Sequence, residues 1–147
     1  MNIDVRKLKY SGLTSTEFDF KYTPQNNILE FLNSAFSDQI NVYGSLELHT
    51  DEVYVYLTVE CTIVGECARC LERAEYKFLE SAEVKFVRQN AGEFDYLYKS
   101  GIVDLTIAVD DVILTNLPTS ILCKEDCKGL CPTCGSNLNK ENCKCEK

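Results

Sequence analysis

Between residues 40 and 49 the even positions Ile40, Val42, Gly44, Leu46 and Leu48 fall on one side, with Asn41, Ser45, Glu47 and His49 on the other. A period of two marks a strand with one buried face. After a Thr50-Asp51 turn, Val53, Val55, Leu57, Val59, Cys61 and Ile63 form an apolar row opposite Tyr54, Tyr56, Thr58, Glu60 and Thr62. Past a pair of cysteines, Tyr76, Phe78, Ala82, Val84 and Phe86 alternate with Glu75, Lys77, Ser81, Glu83 and Lys85. These runs predict an antiparallel three-strand meander. In residues 16–22, Phe18, Phe20 and Tyr22 alternate with Glu17, Asp19 and Lys21, which predicts a fourth strand. Two segments carry helical spacing instead. Ile28, Phe31, Leu32, Ala35 and Phe36 follow Pro24, and Leu105, Ala108, Val109, Val112, Ile113 and Leu117 follow Asp104 as a helix cap, with Pro118 as the stop. The second is rich in β-branched residues, so tertiary packing must hold it. The sum is an α+β fold: an antiparallel sheet, open or curled toward a barrel, with one or two helices. Residues 89–101, with Gly92 and an exposed cluster of Phe94, Tyr96 and Tyr98, are expected to be a loop and the most mobile segment.

With 147 residues, 45% of them apolar, the chain has enough for one core and a small appendage. Its 15 basic and 23 acidic side chains leave a net charge of −8. That balance lacks the global basic footprint of a protein that grips nucleic acid by its phosphates, or of a polybasic membrane binder. No apolar run approaches the length of a membrane span, and no secretory leader follows Met1, so a cytoplasmic location is expected. Composition breaks near residue 122. Residues 1–122 hold nineteen acids against ten bases, whereas 123–147 hold six cysteines, five lysines and only two aliphatic residues, Leu130 and Leu138. Two leucines cannot offset an ordering cost of about 1–2 kcal/mol per residue. A structural zinc, at about 10–16 kcal/mol in small peptides, is on the right scale. The expected division is therefore a body, 1–122, and a zinc-knuckle tail, 123–147, packed on or near residues 67–70.

Nine cysteines, an odd number in a chain without a leader, point to thiolate ligation rather than a disulfide framework. Cys131-Pro132-Thr133-Cys134-Gly135 has the form of a knuckle: two ligands three apart, a proline presetting the turn and a glycine able to leave it left-handed. Cys67-Ala68-Arg69-Cys70 offers a second pair between two strands, and Cys123, Cys127, Cys143 and Cys145 supply four more thiols. One or two zinc ions are expected. The simplest partition puts Cys67, Cys70, Cys131 and Cys134 on one ion and Cys123, Cys127, Cys143 and Cys145 on the other. A single site within the tail, with Cys67 and Cys70 left reduced, is equally open. Cys61 lies on an apolar row and is expected to be packing. Arg69, fixed inside a knuckle, and Lys128 are candidate binding residues. Lys128, with Lys124, Lys140 and Lys144, either screens the negative charge of a zinc tetrathiolate or touches phosphate. His49 reads as a turn residue, and Asp110-Asp111 as a solvated helix face. No catalytic residue is expected.

Cys67-Ala68-Arg69-Cys70-Leu71, the helix from Asp104-Leu105 to Leu117-Pro118, and the run from Cys127-Lys128-Gly129-Leu130-Cys131-Pro132-Thr133-Cys134-Gly135 to Asn139 together resemble the YceD family, the large ribosomal RNA subunit accumulation proteins. The resemblance covers about the last 80 residues. It implies a cytoplasmic bacterial protein needed for normal levels of large-subunit ribosomal RNA. Position by position, it carries over Cys67, Arg69 and Cys70 and the six tail cysteines. The reading that follows is a non-enzymatic ribosome-biogenesis factor that binds a large-subunit ribosomal protein or a precursor particle. An acidic body suits a basic protein better than bare RNA, which would meet only the tail lysines and Arg69. The alternative is a zinc-stabilised protein–protein adaptor outside translation. An enzyme is disfavoured because catalytic zinc keeps an open position and usually a His or carboxylate beside it.

Overall fold

Period-two patterning dominates the architecture. A computed structural model describes residues 1–24, 28–143 and 145. In chain order the elements are β1 (Asn2–Asp4), α1 (Val5–Tyr10), β2 (Ser15–Tyr22), a 3₁₀ turn (Glu30–Leu32), β3 (Ser34–Phe36), β4 (Ile40–Leu48), β5 (Glu52–Glu66), β6 (Arg73–Val87), β7 (Asp95–Leu97), β8 (Ile102–Asp104) and α2 (Thr106–Asn116). The main sheet runs β2-β4-β5-β6-β7, with β3 beside the far end of β5; β1 and β8 form a separate antiparallel pair. Every pairing is antiparallel except β6 with β7. The sheet is open at β2 and β7, so the expected curl toward a barrel does not close.

The meander follows the alternation residue by residue. Val42 faces Val59, Leu46 faces Val55, and Val55 in turn faces Val84, which stacks the apolar rows on one side. That side is covered by α2, whose Ala108, Val109, Val112 and Ile113 are buried against β5 and β6. Val5, Val103, Leu105 and Ile121 close the edges of the same core. On the opposite side no element lies over the sheet among the described residues. There Tyr43 and Tyr56 are exposed, as are Glu17, Asp19, Glu47, Glu60 and Glu83. Gly44 in β4 allows a close strand approach: a Cβ there would fall 1.9 Å from the Tyr56 carbonyl oxygen.

Four expectations change. The helical spacing at 28–36 does not make an α-helix. Asn33 turns left-handed (φ 49°) and ends a single 3₁₀ turn, after which Ser34–Phe36 pair with Ile63–Gly65 of β5. Sheet pairing outweighs a pattern too short to nucleate a helix. The second helix is present but starts at Thr106. Asp104 still serves its beginning, accepting hydrogen bonds from the Thr106 N–H (3.0 Å) and hydroxyl (2.6 Å). Residues 89–101 are not a plain loop, because β7 joins the sheet there and Tyr98 is buried, although Phe94 faces water. Finally, α1, β1 and β8 were not foreseen. Among the described residues no helix is long and apolar enough to cross a membrane.

Candidate metal centres

The long β5–β6 hairpin ends in a six-residue reversal, 67–72, tied by Cys67 N–H to the Glu72 carbonyl (2.8 Å) and Leu71 N–H to the Cys67 carbonyl (2.9 Å). Two later stretches of chain dock on its backbone. Ala68 donates to the Ile121 carbonyl (2.9 Å), and Leu130 donates to the Arg69 carbonyl (3.0 Å). Gly129 (φ +75°) passes so close that a Cβ would stand 3.0 Å from that Arg69 oxygen. Arg69 clamps the arrangement with a hydrogen bond from its Nη1 to the Cys127 carbonyl (2.9 Å).

These contacts gather Cys67, Cys70, Cys123 and Cys127, whose sulfurs all lie within 4.8 Å of one another. The Cys67–Cys127 and Cys70–Cys123 separations are 3.7 and 3.6 Å. A tetrahedral ion with metal–sulfur bonds of about 2.3 Å spaces its ligands by about 3.8 Å. A disulfide would need about 2.05 Å. Cys67, Cys70 and Cys127 are buried; Cys123 is exposed. A second group, Cys131, Cys134, Cys143 and Cys145, meets the same criterion, with Cys143 3.2 Å from Cys131 and 3.5 Å from Cys134. Its frame is the Cys131–Gly135 turn: Gly135 N–H reaches the Cys131 carbonyl (2.9 Å), and Cys131 N–H reaches the Ser136 carbonyl (2.8 Å). Gly135 takes φ +74°, the left-handed exit that the sequence predicts.

The partition therefore differs from the simplest one expected. Cys67 and Cys70 group with Cys123 and Cys127, not with Cys131 and Cys134. Pro118 ends α2 beside the 67–72 reversal, so the first cysteines to arrive are Cys123 and Cys127. Cys131 and Cys134 are held by their own turn, beyond Leu130, and the chain returns to them only at Cys143. One group does lie wholly within the tail, but among the described residues Cys67 and Cys70 are not left apart from the tail cysteines.

Electrostatics in both groups call for a cation. Burial works against ionising Cys67, but backbone hydrogen bonds from Cys123, Arg69 and Cys70 prevail and bring it down to about 6. The Ser136 hydroxyl and N–H bring Cys134 down to about 6. Against these, burial and then the neighbouring sulfurs push Cys123 up to about 12. The sulfurs of Cys143 and Cys134 do the same to Cys145, also to about 12. Each group thus favours two thiolates, Cys67 with Cys127 and Cys131 with Cys134, and resists ionising its other two thiols, a conflict that a dication would relieve. Either cluster can hold a metal ion.

Some supporting groups had no signal in sequence spacing. Asn139 donates from Nδ2 to the Cys127 sulfur (3.3 Å) and accepts from Lys128 N–H at Oδ1 (3.0 Å), while Asn137 steadies it. Lys140 pairs with Glu72, tying the tail to the reversal a second time. Lys128 itself is exposed, and Lys124 reaches Asp126 at 3.9 Å. Lys144 lies outside the described residues. Cys61 is buried in the core, where burial pushes its thiol up to about 11. His49 packs edge-on against Tyr54. Asp110 and Asp111 are not simply solvated: they accept from the Tyr22 hydroxyl (3.1 Å) and the Tyr96 hydroxyl (2.8 Å).

The family model described as large ribosomal RNA subunit accumulation protein YceD matches residues 55–147. The chain belongs to the YceD family. The YceD match begins within β5 and takes in both cysteine groups, α2 and the 67–72 reversal. An uncharacterised protein of Mycobacterium tuberculosis is 26% identical over 149 residues, covering 96% of this chain and 72% of its own. Another, from Mycobacterium leprae, is 28% identical over 120 residues, covering 75% and 54%. The chloroplastic YCED homolog 1 of Arabidopsis thaliana, named as a large ribosomal RNA subunit accumulation protein, is 35% identical over 43 residues, which is 29% of this chain and 13% of that one. No solved structure matches. Membership in YceD supports a role connected with ribosome biogenesis.

Proposed function

We propose that this YceD chain is a non-enzymatic, cytoplasmic ribosome-biogenesis factor. It supports accumulation of large-subunit ribosomal RNA by binding a basic large-subunit ribosomal protein, free or on a precursor particle. One zinc ion in each four-cysteine group holds the C-terminal quarter in place. The names of the family and of the plant relative motivate the ribosomal part. All-sulfur donor sets of four leave no position for a reacting group, which favours a structural ion over a catalytic one.

The observation that carries the mode of binding is the uncovered sheet face. Across it, Glu17 lies opposite Ser45, Ser45 opposite Tyr56 and Tyr56 opposite Glu83; one rung along, Asp19 lies opposite Tyr43. The field there is negative enough that the Glu83 charge, then burial, then Glu47 push the Tyr56 hydroxyl up. Carboxylates around flat aromatic rings suit arginine-rich segments, by ion pairing and by stacking of guanidinium on ring.

Co-sedimentation with large-subunit precursor particles at low salt tests this reading. Binding is expected, weakening steeply with added salt. Reversing charges with Glu17→Lys and Glu83→Lys should reduce it at least about tenfold, chiefly in the on-rate, with little effect on folding. Absence from the particles at low salt would leave the adaptor outside translation as the better reading.

A further inference from the structure

A chain of net charge −8 with 15 cations among 23 acids nevertheless gathers three cations around one hollow. A concavity of about 440 Å³ is lined by Arg6, Arg88, Tyr98, Lys99, Ser100 and Gly101, with no carboxylate lining it among the described residues. Its cations come from three separate stretches of chain, which is why sequence composition hid them. Arg6 is on α1, Arg88 follows β6, and Lys99 leads into the reversal between β7 and β8.

The hollow is built by the backbone. Ser100 and Gly101 both take positive φ (55° and 70°), and Ile102 N–H closes on the Lys99 carbonyl at 3.0 Å, a two-residue hairpin turn. Val5 N–H then bonds the Gly101 carbonyl (2.9 Å), pinning the start of α1 to that turn. The Arg6 stem lies over Gly101, where a Cβ would meet its Cγ at 2.4 Å. Asp4 orients the guanidinium through Nε (3.0 Å) and Nη2 (2.9 Å), and offsets one of the three charges. Arg88 is oriented from Nε by the Tyr98 hydroxyl (3.0 Å), which leaves both of its terminal nitrogens free of that bond. Among the described residues, neither Arg88 nor Lys99 makes an ion pair. Asp51 influences Arg88 only at longer range.

A second feature points to the same class of ligand. α1 carries Lys7 and Lys9 and ends in Tyr10, which is 92% exposed. Tyr10 stands one helical turn after Arg6, on the same face of α1. An open aromatic ring one turn from Arg6, at the rim of a hollow lined by two guanidiniums and an ammonium, offers one surface for a base and others for a phosphate.

We infer that the hollow between α1, the end of β6 and the β7–β8 turn binds the phosphodiester backbone of single-stranded RNA, with Tyr10 as a stacking surface for an adjacent base. The site lies outside both cysteine groups and relies on the ribosomal role only for which RNA reaches it. The acidic sheet face and this basic hollow would then meet different components of one particle.

Fluorescence anisotropy of a labelled oligouridine with the full chain tests the inference, with polyglutamate as competitor. Binding is expected between about 50 and 200 mM salt, with a log–log salt slope near −2 for three phosphate contacts. Lys99→Gln with Arg88→Gln should flatten that slope by about 1.4. Tyr10→Ala should weaken binding about fivefold or more while leaving the slope unchanged. Lys99→Glu, an exposed turn substitution, serves as the second variant should Arg88→Gln disturb Tyr98. No binding at low salt, binding indifferent to Lys99→Glu, or displacement by polyglutamate as readily as by RNA would overturn the inference. RNA binding that persists in a chain absent from precursor particles would remove the ribosomal role and leave the site standing.

Discussion

Asn139 holds more of the first cysteine group together than its plain position in the tail suggests. Its amide bonds a sulfur, a backbone N–H and Asn137 at once, and its N–H to Cys127 helps draw that thiol below its usual range against the effect of burial. Donors to a ligand sulfur orient it and disperse its charge. Asn139→Ala is expected to weaken metal binding at this group about 10- to 100-fold, with unchanged metal content at saturation, as read by chelator competition. Asp110 is a second informative residue. Burial raises its carboxyl above the ordinary carboxylate value; the Tyr22 hydroxyl opposes that rise, and Asp111 adds to it. A raised folded-state value means the fold favours the protonated form. Stability from this group is therefore fullest at low pH and is lost as pH climbs through the raised value. Asp110→Asn keeps an acceptor for Tyr22 and removes the charge. The variant should be more stable than the parent at neutral pH and no more stable below the carboxylate range, as measured by urea unfolding at both.

At the scale of elements, the two cysteine groups make separable claims. Cys67→Ser should empty the first group and leave the second loaded, and Cys131→Ser should do the reverse, each chain losing one metal equivalent in elemental analysis. A chain in which either substitution costs both ions would contradict the partition. How far these elements were legible follows from their length. Period two runs through residues 40–63 and 75–86 for long enough to set which face is buried, so β4, β5 and β6 could be read directly. β1, β3, β7 and β8 have three residues each, too few for a pattern to be distinguishable from chance. Ser34–Phe36 even sat inside a helical spacing, and only Asn33 and the reach of β5 decide against it. The cysteine motifs announced ligation, but their grouping depends on where the chain goes after Pro118, and local spacing carries no record of that route. The basic hollow was invisible for the same reason.

On the scale of the whole molecule, the sheet and the C-terminal quarter draw on different sources of order. The body buries two apolar layers, whereas beyond residue 122 Cys127 and Cys131 are the only apolar side chains buried among the described residues. Stripping the protein with a strong chelator should therefore open residues 123–145 to protease while amide protection in β4–β6 persists. Ions contributing about 10–16 kcal/mol each at neutral pH are the scale of what is withdrawn. The first group also spans a long separation, since Cys67 meets a partner 60 positions onward. During synthesis, the strands β6 to β8 and all of α2 must emerge before its four sulfurs can assemble. A translation product cut short between Cys70 and Cys123 would expose Cys67 and Cys70 as a bare dithiol, so an ion held by all four sulfurs would double as a certificate that the ribosome has read through to Cys127.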